Sequence, residues 1–321
     1  GGDTAMKVLF IDGVHPVLSE RLSMAGHVCE DASELEGELL LAQLHDAEGI
    51  VVRGRIVLDA GALDRAPKLR FIARAGAGLE NIDLAECERR GIRVLNSPEG
   101  NRAAVAEHAI AMLLALMNHL PRADREVRGG KWRRKENTGH ELNGSTVGII
   151  GFGRMGSAFA EVLRGFGVKV LAYDKYLRDF APDHVQETDL EHLLAHSDVI
   201  SLHLPLTLET DRFADAAFFA RLKRPVWFIN TARGPLVDTE ALLDAIDNGR
   251  VRGACLDVLE FERRDLLGIR TDAPQATLQR LYRNEHVLLS PHVAGITHES
   301  YFKLANVLAD KILNAIADGT L

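Results

Sequence analysis

Two sets of residues in this 321-residue chain have the types and spacing to do chemistry. The first is Gly151-Phe-Gly153-Arg154-Met155-Gly156, the single GxGxxG of the sequence. Each glycine there has a physical task. Gly151 permits a tight turn, Gly153 carries no Cβ to hold the backbone off a pyrophosphate, and Gly156 lets a helix pack closely on a strand. Amides at the start of that helix, placed near Ser157, then face the negative charge. Asp174 follows 18 residues after Gly156. A carboxylate at that distance accepts from the hydroxyls of an adenosine ribose and repels a 2′-phosphate, which selects NAD over NADP. Lys175 beside it weakens the selection slightly.

The second set is Arg233, Glu262 and His292. Nicotinamide chemistry is hydride transfer, so the protein has to supply an acid–base group and an anchor for the substrate. A guanidinium, a carboxylate and an imidazole stand just past three β-type runs, 226–230, 253–257 and 287–290. Ligands of open α/β sheets bind at such strand ends. His192 and His196, four apart on an expected helix, lack an HExxH arrangement and a third ligand, so they read as a solvated helix face and no metal is expected.

Strand-forming runs alternate with helical stretches in two rounds. The first holds runs at 7–12, 49–53, 69–73 and 92–95, with a helix at 82–90. The second holds runs at 146–150, 168–172, 198–202, 226–230, 253–257 and 287–290, about the six strands of a doubly wound dinucleotide-binding sheet. This predicts an α/β fold with parallel sheets and helices on both faces. The stretch 103–120 is helical in pattern and apolar nearly all round, so it is expected to be buried on most sides, partly in the core and partly in a subunit interface. An amphipathic helix is expected at 299–318.

Length allows two domains. Hydrophobic residues at 46 % and charged residues at 26 % are the balance of a globular protein. The formal net charge of −8 gives no general attraction to nucleic acid or an anionic membrane. The basic stretch 131–135 reads as a solvated helix end or loop. The longest apolar run, 109–117, falls far short of the roughly 20 residues of a membrane span. Cys29, Cys87 and Cys255 are far apart, odd in number and form no CxxC, which fits a reducing cytoplasm. Residues 1–5 before Met6 read as a tag remnant, and no secretory signal follows.

Further motifs stand in order along the chain: Gly76-Ala77-Gly78-Leu-Glu-Asn-Ile-Asp83, Asn96-Ser-Pro-Glu-Gly-Asn101, Val105-Ala-Glu-His108, His203-Leu-Pro205-Leu-Thr207 and Asn230-Thr231-Ala232-Arg233-Gly-Pro-Leu-Val-Asp238. With the glycine turn and the His292 segment, they make the chain resemble the D-2-hydroxyacid dehydrogenases over nearly its whole length. The resemblance implies two Rossmann-like domains. A substrate domain of residues 6–100 and 291–321 is interrupted by an NAD-binding domain of residues 101–290, and the cleft between them closes on its ligands. It implies a homodimer paired through residues 102–142, with small 2-hydroxy or 2-oxo acids as substrates. Because 29 residues follow His292, no added regulatory domain is expected.

The resemblance also implies roles. Arg233 grips the substrate carboxylate with its planar fork. His292 moves the hydroxyl proton, and Glu262 holds the far ring nitrogen and steadies the imidazolium. Glu260 competes for that place, but the family spacing of five residues after the aspartate selects Glu262. Val105, Arg154, Met155, His203, Pro205, Thr231, Ala232, Asp257 and Gly295 join the glycines and Asp174 as cofactor contacts, with Asp257 either touching the nicotinamide ribose or supporting its loop. Ala75, Gly76, Ala77, Gly78 and Asn101 are implied at the substrate. Arg53 and Arg55 match an arginine pair that meets phosphate in members acting on 3-phosphoglycerate, a serine-biosynthesis substrate; equally, they are structural or bind a carboxylate. A glyoxylate or hydroxypyruvate reductase and an NAD-sensing corepressor-like regulator are the alternative readings. Two departures stand out. Arg263 replaces a proline common after the glutamate, and 265–280 reads as an insertion.

Overall fold

The computed structural model describes residues 5–321, so most of the expected tag remnant lies outside the described residues. The chain divides into two compact units. One comprises the residues up to Asn101 with Arg264–Leu267 and Ile296–Leu321; the other comprises Arg102–Arg263 and Gly268–Gly295.

The first unit is built on a parallel sheet of β1 (Lys7–Phe10), β2 (Val28–Asp31), β3 (Gly49–Val52), β4 (Phe71–Arg74) and β5 (Arg93–Asn96), in the order β2-β1-β3-β4-β5. Alternation along β3 explains the two-sided burial. Ile50 and Val52 join Leu9, Ile11 and Ile72 on one face, while Val51 joins Val8, Phe71 and Ala73 on the other. The helix His298–Ala317 covers the second face with Ala305, Leu308, Ala309 and Ile312, spaced as one stripe. Its start is closed by a reciprocal Thr297–Ser300 capping box.

The second unit holds seven parallel strands: β6 (Thr146–Ile150), β7 (Lys169–Tyr173), β8 (Val185–Glu187), β9 (Val199–Leu202), β10 (Val226–Asn230), β11 (Val251–Leu256) and β12 (Val287–Leu289). Their order is β12-β11-β10-β9-β6-β7-β8. The direction of winding reverses between β6 and β9, and a crevice opens at the carboxyl ends where it does. The seventh strand corrects the expected six: β8 is a three-residue edge strand, Val-Gln-Glu, too short and polar to read as one.

The expected helix 103–120 is Arg102–Met117, and a second helix, Leu120–Arg128, follows. The break has a cause in the sequence. A continuous helix needs an N–H at Pro121 to bond the Met117 carbonyl, and proline has none. His119 turns left-handed at φ 54°, and the Met117 carbonyl accepts instead from the His140 amide at 3.0 Å. Among the described residues no single helix is long and apolar enough to cross a membrane; these two reach that length only jointly, across a 59° bend.

Candidate active site

The glycine turn lies directly between β6 and the helix Arg154–Val162. The helix starts at Arg154 rather than near Ser157, so Gly156 falls in its first turn. A Cβ at Gly156 would stand 2.1 Å from the Gly151 carbonyl oxygen, and one at Gly151, where φ is 91°, would stand 2.3 Å from the His203 carbonyl. Gly153 differs: nothing lies within 4 Å of the place of its Cβ. It precedes the helix with no side-chain cap, so the first amides are left to a ligand. Thr231 Oγ1, just past β10, is buried without a hydrogen-bond partner. An open cradle at a helix start and an orphan hydroxyl at a nearby strand end fit a dinucleotide.

Asp174 caps the far side of this turn. Its Oδ2 accepts from the Phe152 amide at 2.9 Å, and its Oδ1 accepts from the amides of Tyr176 and Leu177 at 2.9 and 3.0 Å. Burial pushes the carboxyl up, but these three N–H donors outweigh it and hold it below the ordinary aspartate value. It is therefore a firm anion at the place a ribose would occupy. Lys175 contacts the Glu209 carboxylate, which offsets the charge that would have weakened the choice of NAD. Burial pushes the His203 imidazole down to about 4. Ser201 Oγ lies 2.8 Å from its Nε2.

The expected catalytic residues Arg233, Glu262 and His292 follow three adjacent strands, β10, β11 and β12. Past β10, Asn230 fixes the turn: its Nδ2 donates to the Arg233 carbonyl at 2.9 Å and its Oδ1 accepts from the Ala232 amide at 3.0 Å. Arg233 Nη1 donates to the Ala232 carbonyl at 2.7 Å. The turn lies directly on the segment leading to Glu262, since a Cβ at Gly234 would stand 2.0 Å from the Leu259 carbonyl oxygen. Glu262 Oε2 lies 2.7 Å from His292 Nδ1, while its Oε1 accepts from the Leu259 amide at 2.7 Å. Glu260 is occupied elsewhere, by Arg212 at 2.9 Å and the Thr239 amide at 3.1 Å.

His292 is held in place by Asp257. This carboxylate is 1 % exposed. It accepts from Ser290 Oγ at 2.7 Å, the Val293 amide at 2.9 Å and the Ala294 amide at 3.0 Å, and the Asp257 carbonyl accepts from the His292 amide at 2.8 Å. A carboxylate has about four acceptor positions. Asp257 thus supports the loop, one of the two roles expected of it, and residues through Gly295 stay with the second unit. His108, on the helix Arg102–Met117, approaches the same group, with Nε2 3.0 Å from Ser290 Oγ and 3.6 Å from Asp257 Oδ1. Its place in the motif 105–108 was visible in sequence; its partners, about 150 to 180 residues further on, were not.

In the first unit, Arg55 takes the structural one of its two expected roles. Its guanidinium donates to the carbonyls of Leu35 at 2.7 Å, Ile11 at 2.5 Å and Ala32 at 3.2 Å, and so ties three loops together. The Arg53 guanidinium makes no hydrogen bond or ion pair among the described residues. Arg74 ends β4. It pairs with Val52 across β3 and β4, next to Arg53, and its Nη1 lies 1.8 Å from where a Gly76 Cβ would be. Asn96 Nδ2 and the Ser97 amide hold the carbonyls of Ala77 and Gly76 at 2.8 and 3.0 Å. The amides of Ala77 and Gly78 donate to no protein group among the described residues. Asn101 Oδ1 is buried without a partner. His192 and His196 stack at 4.1 Å, and among the described residues no group of three His, Cys, Asp or Glu could hold a metal.

A glycine turn at the reversal point of a parallel sheet, with an imidazole–carboxylate pair at neighbouring strand ends, defines a dinucleotide-binding domain of the dehydrogenase class. Residues 110–294 match the model of the D-isomer specific 2-hydroxyacid dehydrogenase, NAD binding domain. D-3-phosphoglycerate dehydrogenase of Archaeoglobus fulgidus is 37 % identical over 96 % of this chain and 57 % of its own length. Among solved structures, D-lactate dehydrogenase of Aquifex aeolicus, complexed with NAD and lactic acid, has a TM-score of 0.83 at 32 % identity, covering 98 % of this chain and 96 % of that one. A glyoxylate reductase from Paecilomyes thermophila has a TM-score of 0.85 at 26 % identity, covering 98 % and 96 %. The chain belongs to the D-isomer specific 2-hydroxyacid dehydrogenase family, whose cofactor is NAD. It spans just over half the length of the curated relatives it matches, 57 % and 51 % for two of them.

Proposed function

We propose that the protein is an NAD-dependent D-2-hydroxyacid dehydrogenase that oxidises 3-phosphoglycerate to 3-phosphohydroxypyruvate, the entry to serine synthesis. The observation that carries the dehydrogenase reading is the 2.7 Å contact between His292 Nδ1 and Glu262 Oε2. A neutral imidazole that donates from Nδ1 to a carboxylate presents Nε2 as its acceptor. Nε2 then takes the proton of the substrate hydroxyl, and Glu262 balances the imidazolium that forms. Arg233 anchors the substrate carboxylate with two parallel N–H donors. NAD, held at the Gly151–Gly156 turn and Asp174, would supply the hydride acceptor for C2.

The phosphate reading rests on Arg53, just past the end of β3, whose guanidinium makes no hydrogen bond or ion pair among the described residues. Guanidinium groups match phosphate oxygens better than a point charge does. Arg55, spent on backbone carbonyls, plays no part. Cytoplasmic residence and a homodimer belong to the same reading. The test is NADH formation from NAD with a panel of D-2-hydroxy acids. Phosphoglycerate is expected to be preferred, and Arg53→Ala to raise its KM about tenfold or more, the loss of one charged contact, with little change for D-lactate. Equal efficiency of Arg53→Ala on phosphoglycerate would remove the phosphate assignment. Turnover restricted to glyoxylate or hydroxypyruvate reduction would move the protein among the reductases.

A further inference from the structure

The segment after Glu262 is an ordered hairpin, not a passive insertion. Arg270 N donates to the Phe261 carbonyl at 2.9 Å, and Arg263 N donates to the Gly268 carbonyl at 2.8 Å. Between these two bonds, Glu262 and Ile269 face each other in an antiparallel bridge. That is the narrow kind of antiparallel pair, in which facing side chains come closest. The peptide groups on both sides of Glu262 are therefore tied to the returning strand. Ile269 stands beside the Glu262 stem, and it is itself anchored, half-buried, against Phe261, Ala273 and Leu278.

Glu262 needs such an anchor. Its side chain has three rotatable bonds, yet its carboxylate must bridge the Leu259 amide and the His292 ring, each at 2.7 Å. The direct backbone hold on it is one 3.3 Å bond from its own amide to the Leu259 carbonyl. We propose that the 261–270 hairpin is a clamp that aims the Glu262 carboxylate at His292, with Ile269 as its positioning residue. The hairpin form also accounts for Arg263. A proline there could not donate to Gly268, so the chain trades the family's proline for a residue that closes the clamp.

This inference rests on the dehydrogenase reading of His292, and it is tested by readouts that separate the two. Ile269→Ala is expected to lower kcat about ten- to a hundredfold, the cost of misplacing a reacting group, with KM for NAD within about twofold of wild type. Ile269→Val keeps the branched side chain beside Glu262 and should restore most of the loss. In a Glu262→Gln background, Ile269→Ala should cost nothing further, because residues acting through one contact are not additive. Arg263→Pro breaks the clamp at the backbone and should behave like Ile269→Ala, whereas Arg263→Ala keeps the donor and should not. Independently of turnover, the Nδ1 proton of His292, assigned by its loss in His292→Ala, should be visible by NMR in the wild type and exchange-broadened in Ile269→Ala. An unchanged kcat, equal losses in both backgrounds, or an unchanged His292 resonance overturns the clamp. A wild-type chain that turns over no 2-hydroxy or 2-oxo acid overturns the dehydrogenase reading, and the resonance then decides the clamp alone.

Discussion

His292 sits at φ 55°, a left-handed conformation that costs a non-glycine residue about 1–3 kcal/mol and persists only where its surroundings impose it. The four bonds from residues 290–294 to Asp257 impose it here. On the proposed mechanism, His292→Ala removes the proton acceptor and nothing else of that frame. It should lower kcat by about 10²- to 10⁴-fold while leaving the melting temperature near wild type, checked by steady-state kinetics and a thermal melt. A second residue-scale expectation concerns His203, pushed down to about 4 by burial. Its unfolded form takes a proton near the ordinary value of 6.5, so between those values the unfolded chain binds more protons. Its contribution to stability is fully present above pH 6.5 and is lost as pH falls toward 4. The loss amounts to about 3 kcal/mol once both forms are protonated. Urea denaturation of wild type and His203→Gln across that window should show the variant with the shallower acid slope. Parallel slopes would mean that the ring gains solvent access without unfolding.

At the scale of elements, the three glycines of one turn serve two different ends. Gly151 and Gly156 are required by the fold, since a side chain at either meets a backbone carbonyl at 2.3 or 2.1 Å. Gly153 has open space around it and is required only by what binds there. Gly153→Ala should therefore fold with an unchanged melting temperature yet bind NAD at least about tenfold more weakly, whereas Gly156→Ala should lose stability as well. Titration calorimetry beside a thermal melt separates the two. The same logic governs how far these elements are legible in sequence. Strands β6 and β10 lie at 146–150 and 226–230, as their apolar runs predict, because both faces of a central parallel strand are buried and nothing polar interrupts them. Edge strands give no such run: β2, Val-Cys-Glu-Asp, and β8, Val-Gln-Glu, each leave residues in solvent. Glu262 and His292 could be named from motif order, and the sheet brings their strands together. The partners of His108 could not, because they are reached across the helix–sheet packing, which linear spacing does not encode. Arg55 was left open between two roles for the converse reason: its residue type suits an anion, and only the structure shows its two Nη atoms spent on backbone carbonyls.

For the molecule as a whole, one exposed apolar surface is the segment from Leu120 to Trp132. Leu120, Val127 and Trp132 are 56 %, 52 % and 77 % exposed. An indole open to water is costly, and large aromatic side chains at a surface mark contact sites. The buried stripe of the preceding helix, Ala109 to Met117, is already used within its own unit. The exposed trio is not, and a second copy would cover it on the proposed reading. The homodimer expected through residues 102–142 would supply that copy, since a two-fold contact sets the same patch of each copy against the other. Trp132→Asp should then convert a dimer into a monomer in sedimentation velocity, with the NAD-binding unit still folded, because Trp132 contributes nothing to its core. A wild-type chain that sediments as a monomer at micromolar concentration would show that this face serves something other than a second copy. A dimer unaffected by the substitution would move the contact to another part of the 102–142 region.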